Sequence, residues 1–203
     1  MADIVGSRSK DQNGLMDRFK DIVKQVNTES RNTLLSPITI TLGDEFQSVV
    51  SDLSSALQII ISLEEIIVKE EVDFKLRYVL IEGEISTPIN PKIAHEMMGS
   101  GLTEARETLS ELKNTRNRVH VKIEDEARSE AINNAFVGFQ DIIDDWKLKK
   151  DYYIVSKFLE FGDYKRVAVE LNKERSLMWK RERSLKIEAY LALRNVLNYL
   201  GQN

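Results

Sequence analysis

The sequence predicts an α+β fold, helices against a mostly antiparallel sheet, followed by an all-α helix-turn-helix module. Three observations carry this. Up to about residue 124 the hydrophobic pattern alternates between period 2 and period 3.6, giving elements in the order βαββαβ with an αβ pair appended. Beyond that point every apolar repeat is helical. The charge divides a little further on. Residues 147–203 hold thirteen Lys or Arg against seven Asp or Glu, a net of +6, whereas the whole chain stands at −4, which leaves −10 on residues 1–146. The expected organisation is an α+β domain over 1–124, a connecting helix over 125–150 and a helix-turn-helix module over 151–203.

Met1 to Val5 reads as the end of a strand, stopped at Gly6-Ser7-Arg8. Asp11 to Glu29 follows as an amphipathic helix with Leu15, Phe19, Ile22, Val23 and Val26 on one face. Pro37 to Leu42 alternates as a strand, Gly43-Asp44-Glu45 turns, and Phe46 to Val50 resumes, which makes a β-hairpin. Leu53 to Lys69, rich in Leu and Ile, is the next helix. Phe74 to Ile85 is a long alternating strand, Pro88 to Pro91 a loop, Leu102 to Lys113 a helix and Arg118 to Ile123 a short strand. This is the order of a ferredoxin-like unit, with helices on one face of the sheet. In such a sheet the first strand is central. Only Met1 and Ala2 precede Asp3, about three residues fewer than an ordinary strand supplies, so the native start is expected upstream of Met1.

Asp125 to Trp146 reads as a long helix. Ala131, Ile132, Ala135, Phe136, Phe139, Ile142, Ile143 and Trp146 form a stripe suited to core or dimer packing. Tyr152 to Phe161 is the first helix of the terminal module, broken at Gly162-Asp163. Lys165 to Asn172 is a short second helix with Val167, Ala168 and Leu171 on one face, and Asn172 stands where a helix stops, because Asn tolerates the left-handed conformation. Lys173 to Arg183 is a third, with Leu177 inward. Its outward residues, Lys173, Arg175, Ser176, Trp179, Lys180 and Arg183, are the candidate DNA-binding face: Arg and Lys suit phosphates and guanine edges, and Ser176 suits phosphate. Trp179 either joins this face or packs into the module. Lys186 to Leu200 closes the chain as an amphipathic helix. Two short helices and a tight turn, the second helix basic, suit the major groove of double-stranded DNA, and a homodimer supplies two half-sites. A basic tail for an acidic protein partner is the alternative.

The chain has no cysteine, so disulfides and thiolate metal sites are excluded, and a cytoplasmic location is expected. No apolar run is long enough for a membrane span, and no secretory leader is visible. His95 and His120 lie outside any metal-ligand spacing.

Asp3-Ile4-Val5-Gly6, followed by Gly43-Asp44-Glu45-Phe46, resembles the class III nucleotidyl cyclase and GGDEF-type fold, and Leu76 to Gly83 looks like its later strand. More closely, Asp3-Ile4-Val5-Gly6-Ser7-Arg8, Thr41-Leu42-Gly43-Asp44-Glu45-Phe46-Gln47 and Ala105-Arg106-Glu107 resemble, in order, the motifs of the SatD family, which joins such a domain to a C-terminal helix-turn-helix. The resemblance implies a nucleotidyl-cyclase-like domain in which Asp3 and Asp44 are the candidate metal pair, for Mg²⁺ with a nucleotide, and Ser7 and Arg8 are candidate phosphate contacts. Read without it, Asp44 is a turn aspartate and Asp3 a cap. Cyclase catalysis is not expected. Ile40 stands four residues before Asp44, where the family selects its base with Lys. Thr103 and Glu107 stand where it uses Asn and Arg, and Arg106 is out of register by about 100° round the helix. The reading is of a non-catalytic DNA-binding protein, a transcription regulator with a sensor-like or dimerising domain. A Mg²⁺-dependent nucleotide-binding protein is the alternative.

Overall fold

The computed structural model describes residues 1–6 and 12–202. Ser7, Arg8 and Asp11 lie outside the described residues. Five strands, β1 (Ala2–Ile4), β2 (Leu34–Ile40), β3 (Glu45–Val50), β4 (Leu76–Ile81) and β5 (Val119–Lys122), form one sheet in the order β2-β3-β1-β4-β5. The pairs β1–β3, β1–β4 and β2–β3 are antiparallel and β4–β5 is parallel. The sheet is therefore mixed but mostly antiparallel, with the three-residue β1 at its centre. Pro37 has no N–H to give a ladder, which suits it to the edge strand β2, where the register with β3 shifts on both sides of Ser36.

Eight helices accompany the sheet among the described residues: α1 (Gln12–Glu29), α2 (Leu53–Lys69), α3 (Ser100–Leu112), α4 (Glu126–Asp145), α5 (Tyr153–Phe161), α6 (Tyr164–Glu170), α7 (Arg175–Ser184) and α8 (Ile187–Gly201), with a π-helical turn (Leu148–Tyr152) between α4 and α5. α2 is the hub. It starts at Asp52, whose carboxylate accepts the Ser55 N–H at 2.8 Å, and eleven of its residues are buried. Only one stripe of α2, Ser54, Gln58, Ser62, Glu65 and Lys69, is polar and less buried, so the rest of its surface needs cover. Here α1, β3 and β4 cover one flank, and α5, α8 and the π turn the other. One hydrophobic cluster accordingly runs from Ala2 and Ile4 through α2 and α4 to Tyr190 and Leu197, so the C-terminal helices share the core of the sheet.

The helices do not all lie on one face. A parallel β4–β5 pair needs a crossover, and α3 supplies it on the face opposite α1 and α2. Side chains alternate along a strand. Leu76 and Tyr78 join the large core, while Val79 packs with Ala105, Leu109 and Leu112 of α3 in a separate small cluster. The expected strand from Phe74 to Ile85 stops at Ile81, because the chain there meets the start of α3. A Cβ on Gly83 would sit 2.7 Å from the Gly101 Cα. Residues 82–99 then cross the same face as a loop, bound by Ser36 Oγ to the Asn90 carbonyl at 2.7 Å and by the Ala94 N–H to Thr39 Oγ1 at 2.9 Å.

β5 is the other edge strand, and α4 closes it with side chains. Asn133 accepts the Val121 N–H at 2.8 Å and donates to the Val121 carbonyl at 2.7 Å. Gln140 accepts the Arg118 N–H at 2.5 Å and donates to the Arg116 carbonyl at 3.1 Å. Ser129 Oγ accepts from the Ile123 N–H at 2.9 Å. A row of polar residues on the helix takes the place of a sixth strand and satisfies an edge open to pairing. Asn133→Ala should cost about 1–2 kcal/mol by urea unfolding, against less than about 0.5 kcal/mol for the exposed neighbour Asn134→Ala. Equal values would remove Asn133 from this role.

At the same corner Arg118 is buried. Its guanidinium donates to both Glu64 oxygens at 3.0 and 3.1 Å, to Asp144 at 3.1 Å and to the Leu76 carbonyl at 2.5 Å. Tyr78 Oη donates to Glu64 at 2.8 Å. Removing the cation strands a buried carboxylate, so Arg118→Met should cost about 3–5 kcal/mol. Arg116→Met, at an exposed ion pair with Asp141, should cost less than about 1 kcal/mol. A similar small loss for Arg118→Met in the same unfolding experiment would contradict this.

Candidate functional site

Two regions gather the residues with chemistry to offer. The first is the outer surface of α5–α7. α6 begins at Asp163, whose carboxylate accepts the Lys165 N–H at 3.0 Å. It ends with the Asn172 N–H on the Val169 carbonyl at 3.1 Å and the Lys173 N–H on the Ala168 carbonyl at 2.9 Å, with Asn172 at φ 49°. That is a Schellman turn with asparagine in the left-handed position, and it sets the angle at which α7 leaves. Val167 and Ala168 are buried against the neighbouring helices.

α7 is held on one side only. Met178 is buried, Arg181 Nη2 bonds Asp151 Oδ1 at 2.5 Å, and the Leu185 carbonyl at its C-terminus accepts Trp146 Nε1 at 2.9 Å. The expected inward residue Leu177 is instead 45% exposed and Met178 takes its place at 2%. Residues 178, 181 and 185 repeat at helical spacing, and 177 falls about 100° off that line. Lys173, Arg175, Ser176, Trp179, Lys180 and Arg183 are all exposed. Lys173, Arg175 and Lys180 form no ion pair with a described residue, and the Arg183 guanidinium rests over the Trp179 ring at 5.0 Å.

The second region is a cleft of about 780 Å³ at the turn between β2 and β3, lined among others by Asp3, Leu15, Met16, Leu42, Asp44, Glu45, Arg77 and Lys113. Cross-strand pairing sets Glu45, Asp3 and Arg77 in a row across β3, β1 and β4, on the α3 side. Asp3 is 3% exposed. Arg77 Nη1 donates to both of its oxygens, at 2.8 and 3.0 Å, and Lys113 Nζ lies 3.1 Å from Oδ2. Arg106 of α3 is 4.0 Å from Glu45. Asp44 lines the same cleft, and its carbonyl accepts the Ile4 N–H at 2.9 Å, which ties the turn to β1. As arranged, this is a poor donor set for Mg²⁺. Both Asp3 oxygens already face cations, and no cluster of three acidic or histidine ligands occurs among the described residues.

A model of the SatD family matches residues 1–200. The chain belongs to the SatD family. No curated protein matches it significantly, nor does any solved structure. Among the described residues of this SatD-family chain no helix is long and apolar enough to cross a membrane.

Of the residues that carry the resemblance, Asp3 and Asp44 line the cleft and Arg106 lies 4.0 Å from Glu45 at its edge, while Ser7 and Arg8 lie outside the described residues. Arg77 and Lys113 are the charged side chains beside Asp3 that the sequence alone does not place there. Arg77 interrupts an apolar strand between Leu76 and Tyr78, which is a visible signal, but its partner follows only from the β1–β4 register. The anchor of α7 was hidden for a similar reason, since Asp151 sits in a π turn. Its carboxylate also accepts the Lys147 N–H at 2.9 Å. Burial works against the charge of Asp151, but the Lys147 bond and Arg181 outweigh it and hold the group below the ordinary carboxylate range. A lowered carboxylate stabilises the fold above its unfolded pKa, and that contribution is lost as pH falls through the folded value. Asp151→Asn should therefore cost about 1–3 kcal/mol at pH 7. The gap from the parent should narrow as pH falls below the ordinary value of 3.8. A gap independent of pH down to acid unfolding would show that the charge of Asp151 is not what anchors α7.

Proposed function

We propose that this SatD-family chain is a non-catalytic DNA-binding protein, a transcription regulator of the cytoplasm. In this reading α5, α6 and α7 form a helix-turn-helix unit and α7 enters the major groove of double-stranded DNA. The observation that carries it is the outward face of α7, where Arg175, Ser176, Trp179, Lys180 and Arg183, with Lys173 in the turn, reach solvent together. The opposite side is fixed by Met178, Arg181 and Leu185. A rigid helix with unpaired cations on its free side suits phosphates and base edges at once. Arg175 and Ser176 sit in the first turn, the part of a recognition helix that meets the bases. The +6 carried by residues 147–203 against the −10 of the rest orients the molecule with this end toward a polyanion.

The α+β part is read as a cyclase-like, ferredoxin-like domain serving ligand sensing or dimerisation. The order β2-β3-β1-β4 around a short central β1, with the Gly43-Asp44 turn beside it, supports that kinship. A homodimer would present two α7 helices to two half-sites.

Because α8 is part of the shared core, truncation is a poor test and exposed side chains a good one. In titrations of duplex DNA over a range of salt, Lys180→Ala with Arg183→Ala should weaken binding and reduce the salt slope by about two, one per lost phosphate contact. Thermal unfolding should stay within about 0.5 kcal/mol of the parent. An unchanged slope and affinity would take α7 out of the interface.

A further inference from the structure

We infer that the cleft beside Asp3 binds a small molecule through a single oxyanion group, phosphoryl or carboxyl, without a metal ion. The site is the unused edge of the Arg77 guanidinium together with Lys113. Nη1 of Arg77 is committed to Asp3. Its Nε is buried with no hydrogen-bond partner among the described residues, and Nη2 donates to none of them. In a guanidinium, Nε–H and the Nη2–H beside it form one of the two parallel-donor edges that match the two oxygens of a carboxylate or phosphate. Arg77 is only 9% exposed and lines the cleft. A buried donor left unmade costs about 1–3 kcal/mol. Nε has under 1 Å² of accessible surface, so an oxyanion pairs with this edge once the guanidinium turns toward the cleft, and the pairing then recovers that cost.

Charge sets the size of the guest's head. Asp3, Arg77 and Lys113 together carry one net positive charge, which one oxyanion balances. Arg77 and Lys113 are the only cations among the described residues that line the cleft, so the outer phosphates of a triphosphate find no further counter-charge there. Lys113 is half exposed at the end of α3, and its flexible stem lets a guest enter beside Arg77. Leu15, Met16 and Leu42 add apolar lining to the same cleft. A cleft of about 780 Å³ is of the size that small ligands occupy. The cations at Asp3 thus stand where the family resemblance would put metal, and they change the guest from a metal-bound triphosphate to a metal-free single oxyanion group.

The test uses the full chain labelled with ¹⁵N, in EDTA, following the Arg77 Nε–H resonance, which Arg77→Lys identifies by its loss. Inorganic phosphate and acetate are titrated separately. A saturable shift at about 1–10 mM is expected for at least one, and which one saturates tells phosphoryl from carboxyl recognition. Lys113→Ala should raise the half-saturation about tenfold, whereas Arg106→Ala, on the rim, should leave it unchanged. Should Arg77→Lys not fold, the Lys113→Ala comparison, read as protection against thermal unfolding, decides alone. No saturation by either anion would overturn the inference. So would a response confined to a nucleoside triphosphate with Mg²⁺ and abolished by EDTA.

Discussion

The buried guanidinium of Arg118 is the contact on which the rest of this structure depends. It stands just before β5 and reaches α2 through Glu64, α4 through Asp144 and β4 through the Leu76 carbonyl. Its carbonyl accepts the Tyr78 N–H at 2.6 Å. Four elements distant in sequence are thereby fixed at one point. Burial opposes the charge on Arg118, but Glu64 and then Asp144 outweigh it and hold the group above the usual arginine range. The same corner, through burial first and then the negative charge of Glu64, pushes the Tyr78 hydroxyl well above the usual tyrosine range, so that it stays a donor. A buried ion pair is a weak source of stability compared with apolar packing. What it supplies here is position, since the planar fork accepts only one arrangement of its carboxylates.

From that corner the consequences run toward the C-terminus. α4 is fixed along β5 by Ser129, Asn133 and Gln140 and packs against α8, while α2 lies beneath both α5 and α8. Tyr190 stacks on Phe139 at 4.9 Å, touches Trp146 at 5.2 Å, and donates to Glu65 of α2 at 2.8 Å. The basic helices are therefore not a bead on a string. The surface of α7 is carried by the same core that carries the sheet, so a change at the cleft and a change at α7 act on one packed body.

Much of this was legible in the sequence, and for identifiable reasons. α2 appears at Leu53–Lys69, where its apolar run predicts it, because Asp52 before it and Glu70-Glu71 after it leave little choice of ends. Asn172 in the left-handed position was readable from its residue type alone. What was not legible depends on pairing. Periodicity tells that α3 has an apolar side but not which face of the sheet receives it. Leu177 is the more apolar side chain by residue type, yet the bonds of Arg181 and Leu185 hold α7 so that Met178 goes in. Ser129, Asn133 and Gln140 of α4 lie outside the apolar stripe that periodicity picks out, and they are the seal on β5.

The two charged sites differ in a way that follows from their places in the fold. On α7 the cations lie on a helix fastened from behind, so they face solvent. At Asp3 the cations come from β4 and from the end of α3 and turn inward on a carboxylate at the centre of the sheet. A lone buried carboxylate in that position would need a counter-charge to remain ionised. A metal ion supplies two positive charges and binds other ligands with the remainder. Arg77 and Lys113 also supply two, with one in excess of Asp3 and one guanidinium edge unused. The excess charge and the unpartnered Nε are what the inferred anion site at this corner rests on, and Asp3 and Asp44 considered by themselves would point to a cation instead.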